Sequence, residues 1–396
     1  SVLNEGGFDI IVGNPPYVKF QDLTDDNRNY LVKHWTTVKG GTFNLYFAFF
    51  ELGYKLLKAT GKLGYITPNN YFTSLAGESL RKYFQHQKCV TRIIDFSHKK
   101  VFDAQTYTAI TFLSKEQNEA ITYDRIKEQQ TPETFVANAN GSPNYLENLN
   151  VKKWRLLKTD EQQNIKTIET IGKPIGKLFD ICVGIATLKD EIFFIDGTNR
   201  KNGCYIKTNE YGTFEIEKEI VKSVYKISDF QTQKEVEHNT RKIICPYNIK
   251  NGNAIAIPEN DFKKKFPKCY AYFISEKENL LARDKGKVNF EPFFVWGRTQ
   301  GLTRTGKKIL NPTFSKRPRF LLVEEEDGFF TNGYGLYFRE QESNGMFSDL
   351  INPITKLENI DVVQKILNSC IMDYYVSKTS VAIEGGYPCY QKNFIE

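Results

Sequence analysis

The chain predicts an α/β layered domain followed by an irregular α+β domain. Three observations predict it. Short β-branched apolar runs alternate with helical periodicity over roughly the first 115 residues. The texture then turns polar from Lys115 to about Asn150. Beyond Pro174, short apolar runs are separated by Gly, Asn and Pro turns. A length of 396 residues suits two to three domains, at roughly 100–200 residues each.

The elements follow in order. FDIIVG, residues 8–13, is a short β-branched run closed by Pro15 and Pro16, and it predicts a buried parallel strand. Leu45, Phe49, Leu52 and Leu56 recur at helical spacing. They predict a helix over about 44–58 with these four side chains on its buried face, ended by Gly61. Residues 64–68 predict a strand, 77–85 a helix, and 90–96 and 109–114 two further strands. One or two peripheral strands and a linker fill 115–150, with a domain boundary near 150. Later strands are predicted at 178–183, 191–195, 320–323 and 336–338. A helix over 360–378 sets Val363, Leu367, Cys370/Ile371 and Tyr374 on one face.

Composition excludes several classes. Seven scattered cysteines without a CxxC pair argue against a disulfide framework or a zinc ribbon and for a reduced cytoplasmic protein. His34, His86, His98 and His238 form no metal-binding pair, and no metal is expected. No signal peptide opens the chain and no apolar run reaches 18 residues, so no membrane partner is expected. The net charge of +7 fits a polyanion partner.

The sharpest chemical signal is Asn14-Pro15-Pro16-Tyr17, placed directly after the first strand. An exocyclic amine of a nucleobase is a poor nucleophile, because its lone pair is delocalised into the ring. An enzyme that methylates it must accept hydrogen bonds from both N–H groups and favour a tetrahedral nitrogen. The Asn14 side-chain oxygen can accept one, and the Pro15 carbonyl, directed by two consecutive prolines, can accept the other. Tyr17 offers a ring for the base to stack on. Such a base must leave the duplex to reach the site.

FDIIVGNPPY resembles the catalytic motif of amino-methyltransferases. The segments after it resemble, in order, the later motifs of TaqI-like adenine-specific DNA methyltransferases of restriction–modification systems. These are Thr42-Phe43-Asn44-Leu45-Tyr46, Gly61 through Pro68, Ile93-Ile94-Asp95-Phe96, and Val101-Phe102-Asp103 through Ile110. The resemblance implies S-adenosylmethionine as cofactor and a flipped adenine in double-stranded DNA as substrate. It implies a partial Rossmann-like methyltransferase sheet entered at its fourth strand. It also implies that Phe102 packs on the base and that Phe49 lies beside the cofactor adenine. The glycine-rich loop and the acidic ribose ligand of the family's cofactor half have no counterpart here. The chain alone is therefore expected to lack activity. A nuclease domain further upstream in a type IIG parent protein is a compatible partner, although no paired-carboxylate-plus-lysine site is found here.

From Lys173 the chain resembles the family's carboxyl-terminal specificity domain. The segments Lys173–Phe179 and Val183–Thr187, then Trp296-Gly297-Arg298, Leu367-Asn368-Ser369, Gly385-Gly386-Tyr387 and Gln391–Phe394, carry this looser match. Between Arg298 and Arg319 lie Arg298, Arg304, Lys307, Lys308, Lys316, Arg317 and Arg319, with no acidic residue between them. Such a run suits DNA phosphates, and arginine also reads guanine edges. Lys99 and Lys100 are further phosphate candidates. Two readings stand beside the leading one: a non-catalytic DNA-binding specificity module, and a methyltransferase acting on RNA or on protein glutamine.

Overall fold

In the computed structural model, residues 6–39, 42–97, 99–102, 107–127, 129–171, 174–250, 252–339, 359–383 and 387–395 are described. The chain divides into two units, Ser1–Ile171 with Ser377–Gly386, and Gly172–Val376 with Tyr387–Glu396.

The first unit is an α/β layer structure. Its elements are β1 (Phe8–Gly13), α1 (Asp25–His34), α2 (Tyr46–Leu56), β2 (Leu57–Pro68), α3 (Glu78–Gln87), β3 (Val90–Asp95), β4 (Thr108–Ser114), β5 (Ala120–Arg125), α4 (Pro132–Ala137), β6 (Ser142–Tyr145) and α5 (Thr159–Ile171). The strands form one sheet in the order β1-β2-β4-β3-β5-β6. β1 is parallel to β2, and β4 is antiparallel to both β2 and β3. β3 is parallel to β5. Hence β1, β2, β3 and β5 point the same way, and their carboxyl ends line one edge. In open α/β sheets that edge is where ligands bind.

Two expectations about burial are corrected. β1 is parallel, as read, but it is not buried. It is the outermost strand, with Ile10 71% and Val12 80% exposed. Ile10 and Val12 pair with Lys62 and Gly64, opposite the face that α2 covers. The helix α2 forms, but it turns a different side inward. Tyr46, Phe47, Phe50 and Gly53 are buried, while Leu45, Phe49 and Leu56 are half-buried and Leu52 is exposed. The reason is packing: Phe50 meets Tyr65 and Phe84, and a Cβ on Gly53 would collide with the Leu63 and Tyr65 side chains. Gly61 does not end the helix. It lies within β2, and a Cβ there would sit 2.6 Å from the Phe8 carbonyl oxygen.

The boundary near 150 moves to Ile171. Trp154 is buried in the first unit's core, beside Tyr71 and Phe84, and its backbone N–H donates to the Phe72 carbonyl at 2.8 Å. Arg81, fully buried on α3, donates to the Val151, Lys152, Ser74 and Tyr71 carbonyls. The Asn144 amide in β6 pairs with both backbone groups of Leu157. These bonds hold 151–157 on the first unit.

The second unit is α+β. One antiparallel sheet orders Leu321–Val323, Lys308–Pro312, Gly333–Phe338 and Phe179–Val183. Another orders Phe329–Thr331, Val221–Lys226, Arg241–Ile244 and Phe194–Asp196. The strand read over 191–195 is only partly one: Asp190–Phe193 form a helical turn, and the strand is the short Phe194–Asp196 that follows. The helix expected over 360–378 is two, Ile360–Leu367 and Cys370–Thr379, broken at Asn368. There the Asn368 side chain accepts from the Phe320 N–H at 2.9 Å and donates to its carbonyl at 2.7 Å. The predicted apolar face ends with that break, since Cys370 and Ile371 are exposed. The middle of the unit holds a three-stranded antiparallel sheet (Arg200–Lys201, Cys204–Asn209, Gly212–Ile216), a hairpin (Tyr247–Lys250, Asn253–Ala256) and the helices Glu259–Lys265 and Pro267–Ser275, which periodicity alone left unread.

Candidate active site at the carboxyl edge of the sheet

The chain leaves β1 at Gly13 and runs straight into Asn14-Pro15-Pro16-Tyr17, at the ligand-binding edge. Asn14 is exposed, Pro15 is buried, and Tyr17 is half-buried. The prolines anchor the backbone, and the asparagine amide is left facing solvent. The Tyr17 hydroxyl donates to the Ile66 carbonyl at 3.3 Å, which ties the turn to the end of β2. Burial raises the Tyr17 pKa above its ordinary value, so the hydroxyl stays protonated.

The sequence segments that resemble one another's neighbours in the family are brought together here. Val18 accepts from the Leu45 N–H and Phe43 accepts from the Phe20 N–H, both at 2.8 Å. The start of α2 is thereby fastened to the segment that follows the turn. Tyr46, fully buried at the head of α2, meets Tyr17 edge to face with centroids 6.3 Å apart. Its hydroxyl donates to Asn70 Oδ1 at 2.9 Å and lies 3.3 Å from the Pro68 carbonyl. Phe49 stands one turn further along α2 with part of its ring uncovered.

Phe102 follows β3 at the same edge and is 38% exposed, which leaves its ring free to meet a ligand. The loop that carries it begins in a polar knot that sequence reading missed. Asp95 Oδ1 accepts from the Ser97 N–H and from Asn69, each at 2.8 Å, and Oδ2 accepts from the Tyr123 hydroxyl at 2.7 Å. Ser97 holds a left-handed φ of 51°, a strained setting for serine, and Arg125 donates to its hydroxyl. The knot joins the loops after β2 and β3. Asn69-Asn70, directly after Pro68, was its one visible sign. Lys99 is half-buried and Lys100 exposed on the same loop.

In the second unit the basic run divides. Arg298 is exposed, but its backbone bridges to Ala186, which places two segments of the looser resemblance side by side. Arg304 pairs with Asp180 at 3.2 Å and Lys307 with Glu324 at 2.5 Å. Lys308 is fully buried, and its ammonium donates to the Gly306, Glu325 and Glu326 carbonyls at 2.8–3.0 Å. Burial lowers its pKa to about 8. A lysine so enclosed cannot meet a phosphate, and it is withdrawn from the DNA-binding set. Lys316, Arg317 and Arg319 remain accessible.

Residues 1–102 match the family described as Eco57I restriction-modification methylase. The type II restriction enzyme and methyltransferase RM.Eco57I of Escherichia coli is 27% identical over 74% of this chain and 31% of its own length. The type II methyltransferase M.BanIII of Aneurinibacillus aneurinilyticus is 26% identical over 85% of this chain and 61% of its own length. The chain thus spans between a third and three-fifths of these relatives. In fold, the type IIL restriction-modification enzyme MmeI, solved in complex with DNA, aligns over 98% of this chain and 45% of its own, with a TM-score of 0.55 at 12% identity. Residues 1–102 thus match the Eco57I restriction-modification methylase family, and over most of its length the chain is similar to type II restriction–modification methyltransferases.

Proposed function

We propose that this chain carries the base-acceptor half of an adenine-N6 DNA methyltransferase, together with the unit that selects its target. The observation that carries the reading is the Asn14–Tyr17 turn at the carboxyl edge, with its amide exposed and its tyrosine fixed against Tyr46 and Ile66. Asn14 and the Pro15 carbonyl accept the two N–H groups of the adenine amine and draw its lone pair out of the ring. Tyr17 takes one face of the flipped base, and Phe102 closes on it from the loop after β3. Two hydrogen-bond acceptors and two rings fit a flat base that bears an amine.

S-adenosylmethionine, when bound, supplies the methyl group. The half-uncovered ring of Phe49, on the helix fastened to the turn, fits as one wall for a planar adenine. The open flank of β1 supports the reading that a further layer holds the rest of the cofactor. Ile10 and Val12 stand exposed on the face where Ile66, Ile110 and Phe112 are only partly covered. The basic residues Lys316, Arg317 and Arg319 contact the DNA, as do exposed Arg298 and Lys100.

The test offers the complete natural protein that contains this chain labelled S-adenosylmethionine and three substrates: duplex DNA, RNA and a glutamine peptide. Label in duplex DNA alone is expected. Label in RNA or peptide with none in DNA would overturn the reading.

A further inference from the structure

The second unit holds a cleft of about 580 Å³ lined by Gln231, Phe314, the loop Ser315–Arg319 and Tyr387. The frame of this loop is tied at both ends. Thr313 accepts from the Tyr390 N–H at 2.8 Å, and Ser315 donates to the Pro388 carbonyl at 3.3 Å. On the far side the Asn368 amide clamps Phe320, and the Gln233 amide clamps both backbone groups of Leu322. Pro318 fixes φ between the two arginines. Three cations therefore project from a backbone that is held in place.

None of the three, Lys316, Arg317 and Arg319, is ion-paired among the described residues, whereas Arg304 and Lys307 each have a carboxylate partner. Lys316 rests over the Tyr387 ring at 5.3 Å. Arg319 Nε is buried without a hydrogen-bond partner. The carboxylate of Glu235, which faces Arg319 electrostatically, is spent on the Gln231 and Thr232 N–H groups. A buried donor left open is unfavourable, more so when charged, so the cleft carries a cost that an incoming acceptor relieves.

We propose that this cleft is a base-reading site of the second unit. Lys316 and Arg317 hold a phosphate of one DNA strand. Arg319 and Gln231 face the edge of a nearby purine in the groove. Guanidinium and carboxamide groups are the side chains that pair in bidentate fashion with guanine and adenine edges, and phosphate contacts alone carry no sequence information. The inference rests on the DNA-methyltransferase reading, but it makes a separate claim: these few residues set one position of the recognised sequence.

The experiment selects binders from a duplex library with a randomised core. It compares the parent chain with Lys316→Ala, Arg317→Ala, Arg319→Ala and Gln231→Ala, and titrates each against salt. Circular dichroism melting confirms that the variants fold. K316A and R317A are expected to weaken all sequences alike and to lower the salt slope by about one each. R319A and Q231A are expected to relax the preference at one base position by roughly 5- to 100-fold, with a smaller change in slope. If R319A and Q231A enrich the parent's sequence undiminished while the parent binds DNA, the base-reading claim is overturned and the methyltransferase reading stands. If the parent shows no salt-dependent DNA binding, both fall. Free dGMP or inorganic phosphate competing as well as duplex DNA would reassign the cleft to a small anion and overturn the proposal.

Discussion

β1 and β2 lie side by side, run parallel and carry similar apolar residues, yet they end up in opposite environments. β2 has β1 on one side, β4 on the other, and α2 above Leu63 and Tyr65. β1 has a neighbour on one side only, and its Ile10 and Val12 are in water. A β-branched run announces a strand, because branched side chains suit the pleat. It does not say what covers that strand, since burial comes from neighbours in space. The strand that leads into the Asn14–Tyr17 turn is therefore the one whose flank is open.

Unfolding measurements on this chain should expose the contrast most strongly. Leu63→Ala, which empties a site 1% exposed, is expected to cost about 2–5 kcal/mol. Ile10→Ala is expected to cost less than about 0.5 kcal/mol, as surface substitutions do. Equal costs would mean that β1 is covered after all. In the complete natural protein the Ile10→Ala cost should rise, and an unchanged value there would remove the docking role of this flank.

Glu51 sharpens the comparison from the covered side. It is a charge inside the core, 1% exposed. One carboxylate oxygen accepts from the Thr36 and Thr37 N–H groups and the Thr36 hydroxyl, the other from Lys55. Burial pushes its pKa up, but the hydrogen bonds from Lys55, Thr37 and Thr36 outweigh it and hold the pKa below the usual range. Glu51→Gln should cost about 1.5–3 kcal/mol at neutral pH. A depressed carboxylate pKa stabilises the fold above the unfolded value of about 4.3, and the gain is lost as pH falls through the folded value. The parent's advantage over E51Q should hold near neutrality and shrink below about pH 4.3. A gap independent of pH would contradict this.

A smaller effect separates the two halves of the basic run. Lys308→Met leaves three carbonyls without their donor and should cost about 1–3 kcal/mol, with the salt dependence of DNA binding unchanged. Arg317→Ala should do the reverse. A salt slope that falls in K308M would restore the lysine to the DNA-binding set.

Much of the first unit was legible in sequence: β1, α3, β3, β4 and the Asn14–Tyr17 turn all fall where local patterns place them. What was not legible depended on partners in space. The Leu45–Leu56 stripe is the most regular apolar face of α2, yet Phe50 and Gly53 turn inward because Tyr65 and Leu63 wait there. The Asp95–Asn69–Tyr123 knot joins residues 26 and 28 positions apart, which no local pattern links. Lys308 reads as one more cation in a basic run, and only the turn of residues 324–327 over it makes it structural. Asn368 gave no warning either: the helix read through it over 360–378 breaks there, where its amide binds the backbone of Phe320.

In the proposed reading, Asn14 holds the amine of a flipped adenine. Nucleoside mass spectrometry of duplex DNA treated with the complete natural protein tests it most directly. N6-methyladenine is expected from the parent, with a loss of about 100-fold or more in rate for Asn14→Ala and DNA affinity retained. Methylated cytosine from the parent, or N6-methyladenine formed by N14A at the parent's rate, would contradict it.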